Sequence, residues 1–246
     1  MLISFTVNST LSIDMSKSWR SSDVVIRAIP KPPPGKVGVG LWTDAASGTF
    51  YSWGGWWLWG RNVSDPALSK FTADGKGGGS WSLEQPANPS VFRALHPTLG
   101  ATFANTNDTG FVIGGMLHEF AEPQPPAPDA PIVGLATFDM KTNTWWNATA
   151  DFGFFETSLH VSAHYLPAFG PSGLILQLAG YAPPPGSKSS ANAATYGSAH
   201  DLRNVTFFNL QTKKRHWQRA TGSIPPTPRG RSCTAVFATA DGGYDM

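Results

Sequence analysis

Short apolar runs separated by polar turns fill most of the chain. VGVGLWTD (37–44), TFYSWGG (49–55), GFVIGGM (110–116), LATFDM (135–140), GLILQLAGY (173–181) and VTFFNL (205–210) are six to nine residues long and rich in aromatic and branched side chains. Runs of this length, bounded by Gly, Asp, Asn, Ser and Thr, predict strands joined by hairpin turns. VGVGLWTD leads through AASG into TFYSWGG, GATFANTNDTG leads into GFVIGGM, and VSAHYLPAF leads through GPSG into GLILQLAGY.

These hairpins are copies of one unit. A run ending in a small pair recurs at Gly54-Gly55, Gly114-Gly115 and Ala179-Gly180, at spacings of 60 and 65 residues. Behind each pair comes an apolar stretch, a polar turn and a Trp: SKFTADGKGGGSW (69–81), LATFDMKTNTW (135–145) and VTFFNLQTKKRHW (205–217). The unit is therefore predicted to hold four antiparallel strands, and a repeat of this kind decides the architecture. TLSIDMSKSW (10–19) aligns with the second half of a unit, and RGRSCTAVFATADGGYDM (229–246) with the first strand, its turn and the start of a second. The expected organisation is a half-unit over 1–30, full units over 31–90, 91–154 and 155–225, and a partial unit over 226–246.

A four-stranded unit with a Gly pair closing strand two and a Trp opening strand four resembles the kelch repeat of β-propellers. The residues that carry the resemblance are Gly54, Gly55 and Trp81, then Gly114, Gly115, Asp139 and Trp145, then Gly180 and Trp217, with Asp14 and Trp19 in the opening half-unit. Phe71, Phe138 and Phe208 stand where the family has Tyr, and the units are longer than usual. Long units and phrases such as FDMKTNTW look most like the large kelch proteins of fungi, which resemble the central domain of galactose oxidase. The resemblance implies an all-β, incomplete kelch β-propeller of about three complete four-stranded blades, with a partial blade at each end. It also implies an extracellular propeller that, in the full-length protein, a membrane span can follow. A blade buries its faces only against its neighbours, so a three-blade arc alone is expected to be poorly soluble.

Composition agrees with an all-β chain. Of 246 residues, 41% are hydrophobic and 14% charged, and Gly (26) and Pro (21) leave room for many turns and few long helices. Ten Trp and fifteen Phe supply bulk for flat sheet faces. The net charge is +2 and the Lys and Arg are scattered, so no footprint for nucleic acid is present. No apolar run reaches the length of a membrane span, and MLISFTV lacks the features of a signal peptide. Five Asn open N-x-S/T triplets (Asn8, Asn62, Asn107, Asn147 and Asn204), where composition alone gives about two. That excess points to the secretory route and to glycosylation, with a cytoplasmic chain as the alternative.

Several motifs suggest chemistry and have plainer readings. Gly75-Lys76-Gly77-Gly78-Gly79-Ser80 fails the phosphate-loop spacing and falls where the unit needs a turn. His160 and His164, with Glu156 nearby, have a metal-ligand spacing only on a helix, and a strand is expected there. The galactose-oxidase resemblance raises copper-radical oxidation, for which only Cys233 offers a thiol; it sits at a first-strand position where a small buried residue is expected. No catalytic residue, cofactor or metal is predicted.

Function is expected on the rim formed by the loops after strands two and four. It carries Trp56, Trp57 and Trp59 after one Gly pair, His118 and Glu119 after the next, and Tyr181 after the third, with Arg93, Arg229 and Arg231 between units. Aromatic and Arg side chains are common interface anchors. The competing reading packs the three Trp between blades. AEPQPPAPDAP (121–131) and APPPGSKSSANAA (182–194) read as extended loops, with a PPII ligand as the alternative for the first. The expected function is a non-catalytic binding module for a protein or polysaccharide partner. The alternatives are a fragment of a propeller enzyme and a cytosolic kelch scaffold.

Overall fold

The structure, a computed structural model, describes residues 9–30, 36–44, 46–57, 66–122, 130–148, 157–182 and 198–246. The expected strands are present and build three four-stranded antiparallel sheets. A hairpin of β1 (Ser9–Ile13) and β2 (Ile26–Pro30) precedes sheet I, which runs β3 (Val37–Asp44), β4 (Thr49–Trp56), β5 (Leu68–Ala73), β6 (Gly79–Glu84). A short helix α1 (Pro89–Arg93) leads to sheet II, β7 (Thr102–Asn105), β8 (Thr109–Ile113), β9 (Leu135–Asp139), β10 (Thr144–Ala148). Sheet III contains β11 (Ser162–Leu166), β12 (Leu174–Leu178), β15 (Asn204–Asn209) and β16 (Lys214–Arg219). Between β12 and β15 lies a small pair, β13 (Tyr181–Ala182) with β14 (Ser198–Ala199), and the last hairpin joins β17 (Phe237–Ala238) to β18 (Tyr244–Asp245). No helix among the described residues is long and apolar enough to cross a membrane.

The sheets meet at their first strands, since β7 lies against both β3 and β11. Their faces stack through aromatic side chains. Trp42 of β3 is fully buried, with ring centroids 5.7 Å from Trp145, 5.8 Å from Phe138 and 6.2 Å from Phe103 of sheet II. Tyr51, Trp53 and Phe92 close around the same pair, so indole and phenyl rings fill the seam between sheets I and II. Ala104, Phe111, Ile113 and Leu135 meet Ile175 and Phe208 in the seam between sheets II and III. The Trp81 indole N–H donates to Thr10 Oγ1 at 2.7 Å, which joins sheet I to the first hairpin.

Backbone demands explain the small pairs. Gly54 (φ 78°), Gly114 (φ 63°) and Ala179 (φ 60°) all adopt a left-handed conformation at the end of the second strand, so Ala179 does with a strained methyl what glycine does freely. Asp74, Asp139 and Asn209 hold the turns from strand three to four by accepting backbone N–H groups two to four residues ahead. The Gly75–Ser80 stretch thus contains a hairpin turn and the first residues of β6, as expected.

Three expectations are corrected. Trp19 does not open a strand: Ile13 pairs with Ile26, and Trp19 lies exposed in the long turn between them. Trp217 is not the counterpart of Trp145. The turns over 139–144 and 209–214 have equal length, so Phe138 faces Trp145 while Phe208 faces Arg215, and Trp217, two residues on, is 70% exposed. The Asx turn, not the Trp, sets the register. Cys233 is neither buried nor in a strand; the final hairpin pairs only from Phe237, and Cys233 is an exposed free thiol.

Candidate functional site: a row of rings on one rim

The rim at the start of β3, β7 and β11 gathers side chains from all three sheets. Trp56 ends β4 opposite Val37, Leu99 bridges Met116 just before β7, and Leu159 bridges Tyr181 just before β11. Trp56 of sheet I lies 6.1 Å from His160, which enters sheet III, and His160 lies 6.4 Å edge-on from Tyr181. Sheets I and III are not neighbours, so their rings meet only where the first strands converge.

Glycine backbone supports this row. The His160 N–H donates to the Gly100 carbonyl at 2.8 Å, and a methyl at Gly100 would stand 3.2 Å from the imidazole. A methyl at Gly38 would overlap the Trp56 ring, and one at Gly230 would overlap Tyr181. His160 (φ 52°) and Arg231 (φ 54°) both hold a left-handed backbone that costs a β-carbon residue about 1–2 kcal/mol. Such strain concentrates at functional positions. Burial, reinforced by the nearby Arg231 charge, holds the His160 imidazole at a pKa of about 4, so it is neutral at physiological pH. His200 behaves alike: its backbone N–H donates to the Gly180 carbonyl at 2.8 Å, and burial with the Arg215 charge brings its pKa to about 4.

Of the residues expected on this rim, Trp56 and Tyr181 are half-buried in the row, and Arg229 and Arg231 are exposed beside it. Trp57 is buried: its backbone N–H donates to the Phe120 carbonyl at 2.7 Å and Lys36 sits over its ring at 5.3 Å, so it supports the loop and presents no surface to a partner. His118 is also buried, and its Nδ1 accepts from the Phe120 N–H at 3.1 Å. Glu119 is exposed on that loop, and Arg93 is exposed at the end of α1, not in a loop as expected. Trp59, Asn8, Asn62, Glu156 and most of both Pro-rich stretches lie outside the described residues.

Sequence reasoning passed over His160 as an ordinary histidine and did not identify Trp42, His200, Arg215 or the His96–Glu122 pair, whose Nδ1 and Oε1 are 2.8 Å apart. The aromatic repeat pattern pointed toward Trp42 only through its place in VGVGLWTD. The sequence offered His160 only as a candidate metal ligand and not as a member of the row, because its neighbours there come from residues more than twenty or a hundred positions away. His164 turns from the row to bond Thr234 Oγ1 at 2.6 Å. No group of three metal-binding side chains occurs among the described residues.

The opposite rim opens on a cleft of about 890 Å³, lined by Leu41, Phe103, Asn105, Ala163, Tyr165 and Tyr244. It is walled by the first strands of all three sheets. No family model matches the chain, and no curated protein does.

Proposed function

We propose that the chain is part of a kelch-type β-propeller whose sheets are successive blades, and that it is a non-catalytic binding module, secreted or at the cell surface. The partner, a protein or polysaccharide, docks on the rim that carries Trp56, His160 and Tyr181. One observation carries this reading: a ring from sheet I and two rings flanking the first strands of sheet III form a continuous row on one rim, with Arg229 and Arg231 beside them. Rigid aromatic groups flanked by Arg make effective anchors, because they contribute area with few rotatable bonds. A neutral His160 adds a flat, uncharged ring to the row. The excess of N-x-S/T triplets supports the secretory placement.

The test is direct binding of the purified protein to immobilised wall polysaccharides and to an arrayed panel of surface proteins. Trp56→Ala and Tyr181→Ala are each expected to weaken the binding found by ~2 kcal/mol or more while thermal unfolding stays two-state. Wild-type affinity in both variants would overturn the assignment of the rim.

A further inference from the structure

The β7–β8 hairpin projects beside the cleft on the other rim, and its turn is wired tightly except at one residue. The Thr106 N–H donates to the Thr109 carbonyl at 2.9 Å, Thr109 N–H to Thr106 Oγ1 at 3.1 Å, and Asn105 Nδ2 to the Thr106 carbonyl at 2.7 Å. Asp108 accepts from Thr106 Oγ1 at 3.1 Å, from Thr109 Oγ1 at 3.2 Å and from Lys141 Nζ at 2.8 Å. Among the described residues Asn107 finds no hydrogen-bond partner, is exposed, and lines the cleft. It also opens the triplet Asn107-Asp108-Thr109.

We propose that Asn107 carries an N-linked glycan that covers the mouth of this cleft, leaving the ring-bearing rim as the face open to a partner. The inference rests on the secretory placement proposed above. In the transfer, Asn107 Nδ2 attacks C1 of an oligosaccharide held on a lipid diphosphate; the C1–O bond breaks, the C1–N bond forms, the lipid diphosphate departs, and Nδ2 gives up a proton to the transferase. The Thr109 hydroxyl meets the triplet's requirement at the third position. Transfer acts on the emerging chain, so the fold decides only whether the sugar can remain in solvent. At Asn107 it can, because the turn is stabilised without that side chain. A polar, bulky glycan there shields the apolar wall formed by Leu41, Phe103 and Ala163. Asn147 on β10 and Asn204 on β15 are also exposed, but they lie on later strands of their sheets, away from the cleft lining.

Glycopeptide mass spectrometry of the native protein tests the site. A glycan is expected at Asn107. It should be lost in Asn107→Gln and in Thr109→Ala, and kept in Thr109→Ser, which preserves a hydroxyl. An unmodified Asn107 beside a modified Asn147 or Asn204 overturns this inference and leaves the secretory placement standing; all three unmodified overturns both. Hydroxyl-radical labelling tests the covering role. Labelling of Tyr165 and Tyr244 should rise severalfold after enzymatic removal of the glycan, and no rise would overturn that role. Binding at the ring-bearing rim should be unchanged by the same treatment, whereas loss of binding would refute the division of the two rims.

Discussion

Gly110 is the sharpest test of how the sheets pack. It lies in β8 with ordinary strand geometry, so its need for glycine is steric alone: an added methyl would stand 2.5 Å from the Trp42 ring across the seam. Gly110→Ala must displace an indole that is fully buried among Phe103, Phe138 and Trp145. Overpacking of this kind costs about 1–3 kcal/mol. Trp42→Ala alone should cost about 3–5 kcal/mol, because it removes a whole buried aromatic group and leaves a cavity. In the Trp42→Ala background the methyl has space, so Gly110→Ala should cost little, and the two changes should couple by ~1–3 kcal/mol. Urea unfolding of the four proteins measures the cycle, with an unchanged m value as the check that compactness is preserved. If Gly110→Ala costs the same with and without Trp42, the seam is not packed as described.

Other outcomes follow from the polar groups. His160 and His200 have folded pKa values of about 4 against an ordinary 6.5, so the unfolded chain binds more protons than the folded one between those limits. Stability is therefore full above pH 6.5 and falls as pH drops toward 4, by about 3 kcal/mol per histidine; urea midpoints across that range should show the fall, and His160→Phe should flatten part of it. The Arg215 pKa is pulled down to about 10 by burial, and its NH1 has no hydrogen-bond partner among the described residues, so Arg215→Met should raise the unfolding free energy by about 1 kcal/mol, read from urea midpoints. Thr157 Oγ1 accepts from the Gly115 N–H at 2.9 Å and donates to the Gly115 carbonyl at 3.2 Å in a fully buried position. Thr157→Val should cost about 1–3 kcal/mol, and an unchanged unfolding midpoint would show that these bonds contribute nothing.

The strands and turns of this protein are local facts, and the sequence determined them. The apolar runs, the Asp or Asn of each strand-three turn and the small pairs at 54–55, 114–115 and 179–180 act within a few residues, so a repeat search finds them. Even the strained Ala179 was legible as a substitute for glycine. Register across a turn and contact across a seam are not local. Aligning on Trp matched Trp217 with Trp145, whereas equal turn lengths give Arg215, opposite Phe208, the place that Trp145 takes opposite Phe138. The rim was legible as a side of the repeat, but its content was not. Trp57 and His118 read as surface anchors and are drawn inward by the Phe120 backbone, while His160 enters the row because Trp56 and Tyr181 converge on it from separate sheets. Sequence patterns record what a residue does with its neighbours along the chain. Which rings stack, which charge is buried and which Asn is left in solvent are decided by residues brought together only when the sheets pack.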